Sequence, residues 1–322
     1  MDILMTLFHV LVFPGFLFVA VIGLLLAGID RKILARMQKR IGPPIVQPFY
    51  DFFKLLGKET IVPHSANRTA YLLAPIMGLV SLIVVALFIP IFSFSTFSGN
   101  ADLIVILYLL TVPAVALIIG GSASGSPFAG IGISREMVAM MAYELPLVIV
   151  LLSVAKKVGG DSLCFSLQQI VEWQANNGCA LFQWSLIPAA LAMLLVIPAE
   201  VGTQPFDVAE AETEICEGPL VEYSGAPLGV FKLNTAMKMF IMTSLFTALF
   251  LGGIDTGILA LNAVILVAIC IALTVLCMTL IHAITARLKI EHLFKFYWTV
   301  VAGLAALSLI LVWLVCKEDK LC

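Results

Sequence analysis

The densest chemistry in this chain lies between residues 200 and 222. Glu200, Asp207, Glu210, Glu212, Glu214, Glu217 and Glu222 place seven carboxylates there with no Lys or Arg among them. On a helix turning about 100° per residue, Asp207, Glu210, Glu214 and Glu217 share an arc of about 80°. Like charges stacked at that spacing repel one another. One reading is a solvated helix whose acids hold it out of a bilayer. The other is a carboxylate row with coupled titrations and raised pKa values, suited to storing and passing protons. The run is all of one sign and is matched elsewhere by a basic loop, which favours the second reading.

Glu144 is the other signal. It sits inside an apolar stretch, two residues before Pro146, where an ionisable group is expensive and by default marks a functional path. Glu136 lies eight residues earlier, close to the same helical face, with Arg135 beside it. That pair suits interfacial anchoring equally well. Lys238, within a later apolar stretch, is a candidate countercharge, whereas Lys232 near its entry is as readily a snorkelling residue. His9, His282, Cys270 and Cys277 read as packing residues, and Asp102 as a partner for a helix N-terminus. The seven cysteines form no CxxC pair, so no cofactor is expected in this chain itself. Cys164 and Cys179 are either bridged or free.

The elements that must hold these groups are membrane spans. Apolar residues make up 61% of the 322 and charged ones only 12%, with a mean hydropathy of +1.11, against about 45–50% and 25% in soluble domains. The net charge of −2 gives no reason to expect nucleic acid as a partner. The fold class is therefore an all-α polytopic membrane protein, read as a single integral membrane domain over 1–322. A span needs about 20 apolar residues, and eight stretches qualify, near 3–28, 69–95, 101–121, 134–155, 184–200, 231–253, 257–283 and 293–316. The apolar start has neither a basic leader nor a small-residue cleavage site and reads as a retained span.

Between these spans, residues 48–58 put Phe49, Phe52, Phe53 and Leu56 on one face, the pattern of a short amphipathic helix in the headgroup region. Residues 120–132 read as a Gly- and Ser-rich turn, and 157–183 as an outward loop. Lys and Arg set the orientation. Arg31, Lys32, Arg36, Lys39, Arg40, Lys54, Lys58, Arg68, Arg135, Lys232, Lys238, Arg287, Lys289 and Lys295 fall on one side, and only Lys156, Lys157, Lys317 and Lys320 on the other. Loops 29–68 and 201–230 are then cytoplasmic, and both termini lie outside.

The run Asp30–Pro44 (DRKILARMQKRIGPP) followed by Phe49–Glu59 (FYDFFKLLGKE) resembles the first cytoplasmic loop of the NuoH-like membrane subunits of respiratory complex I. Pro205–Gly225 resembles that family's acidic loop, Ser134–Leu147 its glutamate-bearing span, and Arg287–Trp298 its last cytoplasmic connection. The likeness runs through nearly the whole sequence. Asp30 stands where the respiratory subunits usually show Glu, and Gly202–Phe206 replaces the usual threonine–asparagine–arginine lead-in. Glu217–Leu233 looks more like the membrane subunit of Ech-type energy-converting nickel–iron hydrogenases.

The resemblance implies a membrane anchor and coupling subunit in the cytoplasmic membrane of a prokaryote, without a redox centre of its own. Partner subunits would carry a nickel–iron centre and 4Fe-4S clusters: hydrogenase large and small subunits and an iron–sulfur subunit, beside antiporter-like membrane subunits, with ferredoxin as electron donor. Arg31, Arg36, Arg40, Lys54 and Lys58 would dock that peripheral arm. Glu136, Glu144, Asp207, Glu210, Glu214, Glu217, Glu222 and Lys238 would form the ion-translocation and coupling path. Two alternatives stay open, a quinone-site subunit of a complex I-type oxidoreductase and a stand-alone ion-coupled transporter. No matching half-sequences of the kind inverted-repeat transporters show are found. The coupled ion is H⁺ or Na⁺.

Overall fold

A computed structural model describes residues 3–91, 99, 102–160, 162–254 and 256–318. Its elements in sequence order are α1 (Ile3–Leu11), α2 (Phe16–Met37), α3 (Gln47–Leu56), α4 (Arg68–Phe88), α5 (Asp102–Ser124), α6 (Pro127–Gly159), α7 (Leu167–Asn177), α8 (Ile187–Val201), α9 (Glu212–Ile215), α10 (Gly225–Phe250), α11 (Leu259–Thr274), α12 (Leu280–Ile284), α13 (Ile290–Phe296) and α14 (Ala302–Glu318). Among the described residues there is no strand. Two π-turns, Val275–Thr279 and Tyr297–Val301, join α11 to α12 and α13 to α14 into long segments. Among the described residues, seven helical segments are long and apolar enough to span a membrane, and the shorter α8 is a further apolar helix. The protein is a multi-pass, all-α membrane protein.

Several expected boundaries move, each for a local reason. The first span is two pieces, because Phe13-Pro14-Gly15 interrupts it; a Cβ on Gly15 would lie 2.0 Å from the Val10 carbonyl. Beyond that break α2 runs to Met37, so Arg31, Lys32 and Arg36 ride on a helix and not in a loop. The Gly- and Ser-rich turn shrinks to Gly125-Ser126, with Gly125 at φ +70°. The 157–183 loop contains α7, whose Leu167, Ile170, Val171 and Gln174 are buried. The distal part of the second expected span (92–95) and Lys320 lie outside the described residues.

The bundle is sorted by polarity. α10 is almost wholly enclosed by the other helices, whereas Ile290–Val315 lies mostly at the periphery. α10 is also the least hydropathic span, and it buries Asn234, Lys238, Thr243, Ser244 and Thr247. Lipid is as apolar as leucine, so the peripheral helices can be apolar throughout, while polar side chains must face the interior. Close approach helps: a Cβ on Gly23 of α2 would sit 2.4 Å from the Ala236 carbonyl of α10. Gln174 ties the far end, donating to the carbonyls of Ala248 and Leu249 and accepting from Gly252 N. α3 lies across α10 and α2, with Phe49 and Phe52 against the core and Phe53 and Leu56 exposed, as an interfacial helix requires.

Candidate functional site

The acidic segment is not one helix. α8 ends on Gly202 in the left-handed region, at φ +75°. Only the four residues of α9 are α-helical before a second break, where Cys216 and Glu217 have φ of 52° and 66°. Gly218 follows at φ +49°, where a Cβ would lie 2.2 Å from the Ala209 carbonyl. The expected shared face of Asp207, Glu210, Glu214 and Glu217 therefore does not form. The backbone deals these acids to different places.

Glu200, in the last turn of α8, points inward. Its Oε1 is 2.7 Å from Lys238 Nζ, with both side chains buried. Lys238 thus pairs with Glu200 and not with Glu144. Asn234 lies one turn before Lys238 on α10 and donates to the Pro75 carbonyl. Glu136 from α6, Glu210 and Asp207 from the loop, and Glu200, Asn234 and Lys238 together line one cavity of about 60 Å³. Asn234 Oδ1 and Asp207 Oδ1 are buried without a protein partner. A site this polar and this large accommodates a few water molecules, each needing about 10–15 Å³. Enclosure raises the Glu210 carboxyl above its ordinary range against the lowering effect of Lys232, and Glu217 and Asp207 push it further up.

Glu144 is on the same helix as Glu136, about 12 Å further along, and is half-buried. It does not line the cavity, but it is within electrostatic reach of Glu200 and Lys238. α6 continues unbroken past Pro146.

Asp207 also carries the strap that holds the loop, and Glu214, Glu217 and Glu222 form the rim. Asp207 Oδ2 accepts from Arg287 Nε at 3.1 Å and Nη2 at 2.8 Å, and Arg287 Nη1 also donates to Thr213 Oγ1 at 2.9 Å. The connection before α13 thereby straps the loop down, helped by Leu288 N donating to the Pro205 carbonyl. Glu214 meets Arg135 at 2.6 Å and Glu217 meets Lys232 at 3.8 Å, both pairs open to solvent. Glu222 is exposed and apart from the others; its carbonyl accepts from the Tyr71 hydroxyl, whose ring stacks on Tyr223 at 4.0 Å.

The basic residues read as a docking face are all exposed. Arg31 pairs with Asp51 of α3 at 3.2 Å, Arg40 bonds to Gln38, and Arg36, Lys54 and Lys58 face solvent. Cys164 and Cys179 are separate thiols. Among the described residues, no three His, Cys, Asp or Glu side chains converge as a metal site. Sequence reasoning passed over Glu200 as a member of the site, and missed Asn234 and Arg287. Glu200 was readable as an acid ending an apolar span. Asn234 was readable as a polar residue one turn from Lys238.

A second cavity, of about 340 Å³, opens between α2, α3 and α10. Leu24, Phe52 and Met239 contribute its apolar wall and Asp30, Arg31 and Lys232 its polar side; Glu210 borders both cavities.

The family model described as NADH dehydrogenase matches residues 9–313. Hydrogenase-4 component C of Escherichia coli (strain K12) is 38% identical over 228 residues, 70% of this chain and 70% of that protein. Formate hydrogenlyase subunit 4 of the same organism is 32% identical over 287 residues, 85% of this chain and 89% of that protein. Among solved structures, one subunit of the membrane-bound sulfane sulfur reductase, an archaeal respiratory membrane complex, superposes with a TM-score of 0.83 at 30% identity, covering 92% of this chain and 96% of that one.

Proposed function

This chain belongs to the NADH dehydrogenase family and is a membrane subunit of a respiratory complex of the complex I and hydrogenase type, and we propose that it is the subunit that couples redox chemistry to ion movement. It anchors a peripheral arm through the exposed basic face of α2 and α3 and the rim of the acidic loop. Soluble partners with nickel–iron and iron–sulfur centres, fed by ferredoxin, carry the electrons. The hydrogenase assignment is supported by the likeness to Hydrogenase-4 component C and by the Glu217–Leu233 motif. The membrane is the cytoplasmic membrane of a prokaryote, with the acidic loop inside and both termini outside.

The observation that carries this reading is the cavity that gathers Glu136, Glu200, Glu210 and Lys238 beneath a strapped loop. A unit charge added 10 Å away at an effective dielectric of about 20 changes a carboxylate's energy by about 1.7 kcal/mol, slightly more than one pKa unit. Glu210 is already raised by enclosure, so a reduced centre docked over the loop drives it to take up a proton, and oxidation drives it to release one. The Glu200–Lys238 pair, neutral as a whole, places a strong dipole at the cavity that responds to the same field. Glu136 and then Glu144 carry the response into the bundle, toward partner membrane subunits.

The second cavity favours one other reading, a quinone-type acceptor entering between α2, α3 and α10. Metal analysis of the complex purified in mild detergent tests the proposal. Nickel together with iron is expected. Iron without nickel contradicts the hydrogenase assignment, and a protein that purifies alone and metal-free contradicts the coupling role. Inhibition by quinone-site ligands would favour the second reading.

A further inference from the structure

The two π-turns bracket the connection that straps the acidic loop. Val275–Thr279 precedes α12 and Tyr297–Val301 follows α13. Between them, 280–296 carries Arg287 to Asp207 and Thr213, and the Leu288 N–H to the Pro205 carbonyl. A π-turn closes its hydrogen bonds one residue late, and such turns are among the few places where a helix bends sharply. Burial divides at the same points. Cys277, Met278 and Thr279 are buried in the first turn and Tyr297 and Val301 in the second, but α12 has no fully buried side chain and α13 only Leu293. A segment held firmly at both ends and lightly packed between them can open as a unit.

Each π-turn also sends a side chain to a neighbouring helix. Thr279 Oγ1 donates to Asp30 Oδ1 of α2 at 2.6 Å, and Asp30 lines the second cavity. The Tyr297 hydroxyl donates to the Leu195 carbonyl of α8 at 2.7 Å, and α8 carries Glu200 in its last turn. The Tyr297 ring meets Phe206 of the acidic loop edge-on at 5.5 Å. We propose that 280–296 is a hinged clamp on the acidic loop, with Thr279 and Tyr297 as positioning residues that pass its movement to Asp30 and to α8. Contacts run without a gap from the loop to Arg287, along the chain to either π-turn, and on to α2 and α8. The electrostatic route through Glu210 needs no motion; the clamp adds a mechanical one that reaches both cavities at once. Its part in coupling rests on the function proposed above, whereas its mechanics do not.

Hydrogen–deuterium exchange, read by mass spectrometry on the complex purified in mild detergent and held oxidised, tests the clamp without electron transfer. Arg287→Ala is expected to speed exchange about tenfold in 280–296, and also in the ends of α2 (28–37) and α8 (195–202). In a Tyr297→Phe background, Arg287→Ala is expected to leave α8 unchanged while still loosening α2. In a Thr279→Val background the α2 change is lost and the α8 change kept, and Thr279→Ser, which retains the hydroxyl, restores the α2 change. A change in 280–296 that stops at the π-turns overturns the proposal. So does an α8 change that survives Tyr297→Phe, because the loop alone then transmits it. Reducing the wild-type complex is expected to shift exchange in 203–217, 280–296 and both helix ends together. If the oxidised variants behave as expected and reduction shifts none of these segments, the clamp stands and the coupling role fails.

Discussion

Glu200 and Glu217 come from one stretch of sequence and each faces a lysine of α10, yet the two pairs differ in kind. Glu200 and Lys238 are 2.7 Å apart with side chains 2% and 8% exposed, whereas Glu217 and Lys232 are 3.8 Å apart at 38% and 47%. Lys238 lies six positions after Lys232 on α10, so a turn and a half of helix divides a buried ion pair from a solvent-exposed one. Breaking a buried pair by removing one partner strands a charge, at about 3–5 kcal/mol; an exposed pair contributes about 0–1 kcal/mol. The inner pair is therefore a committed electrostatic element, and the rim pairs are adjustable contacts that a docked partner can replace.

That difference is broken most severely by Lys238→Met. Thermal unfolding in detergent should show about 3–5 kcal/mol of lost stability, and adding Glu200→Gln to the same protein should restore most of it, since the stranded charge is then gone. If the double variant is no better than the single one, the pair is not coupled. Next in size is Arg287→Ala, which removes two charge-assisted hydrogen bonds to Asp207 and should cost about 1.5–3 kcal/mol. It should also speed protease cleavage within 203–217, a change the rim variants do not produce.

Glu210→Gln sharpens the comparison through pH. Because the folded protein holds the Glu210 proton more tightly than the unfolded one does, the stability it contributes is present below about pH 4.3 and is lost as pH rises through the raised value. The variant should therefore lose stability less steeply than the wild type across that window. An identical pH profile would mean that the carboxyl is fully hydrated. The smallest effect belongs to Glu217→Gln or Lys232→Gln, below about 1 kcal/mol and vanishing as salt is raised.

Hydropathy alone placed the spans, because the bilayer imposes one length and one composition on each of them. The interfacial helix was equally legible in the spacing of Phe49, Phe52, Phe53 and Leu56. Pairings were not legible. Arg287 reaches Asp207 across 80 residues, and Lys238 reaches Glu200 across 38, and no periodicity encodes which cation a loop will meet. The helical arc predicted for the acids failed for a reason present in the sequence, the Gly202 and Gly218 positions that turn the backbone into the left-handed region. α7 was missed although its buried Leu167, Ile170, Val171 and Gln174 follow helical spacing, because the glycine turns on either side signal a loop more loudly than eleven residues of mixed polarity signal a helix.

Ion translocation per electron pair, measured on the assembled complex in sealed vesicles, tests the division between inner cluster and rim most directly. Glu136→Gln, inside the cavity, and Glu214→Gln, paired with Arg135 in solvent, each remove one titratable proton while keeping size and hydrogen-bonding capacity. The account predicts that both assemble and transfer electrons, that Glu136→Gln loses most translocation, and that Glu214→Gln pumps close to normally. Normal pumping in Glu136→Gln, or a loss confined to Glu214→Gln, would contradict it.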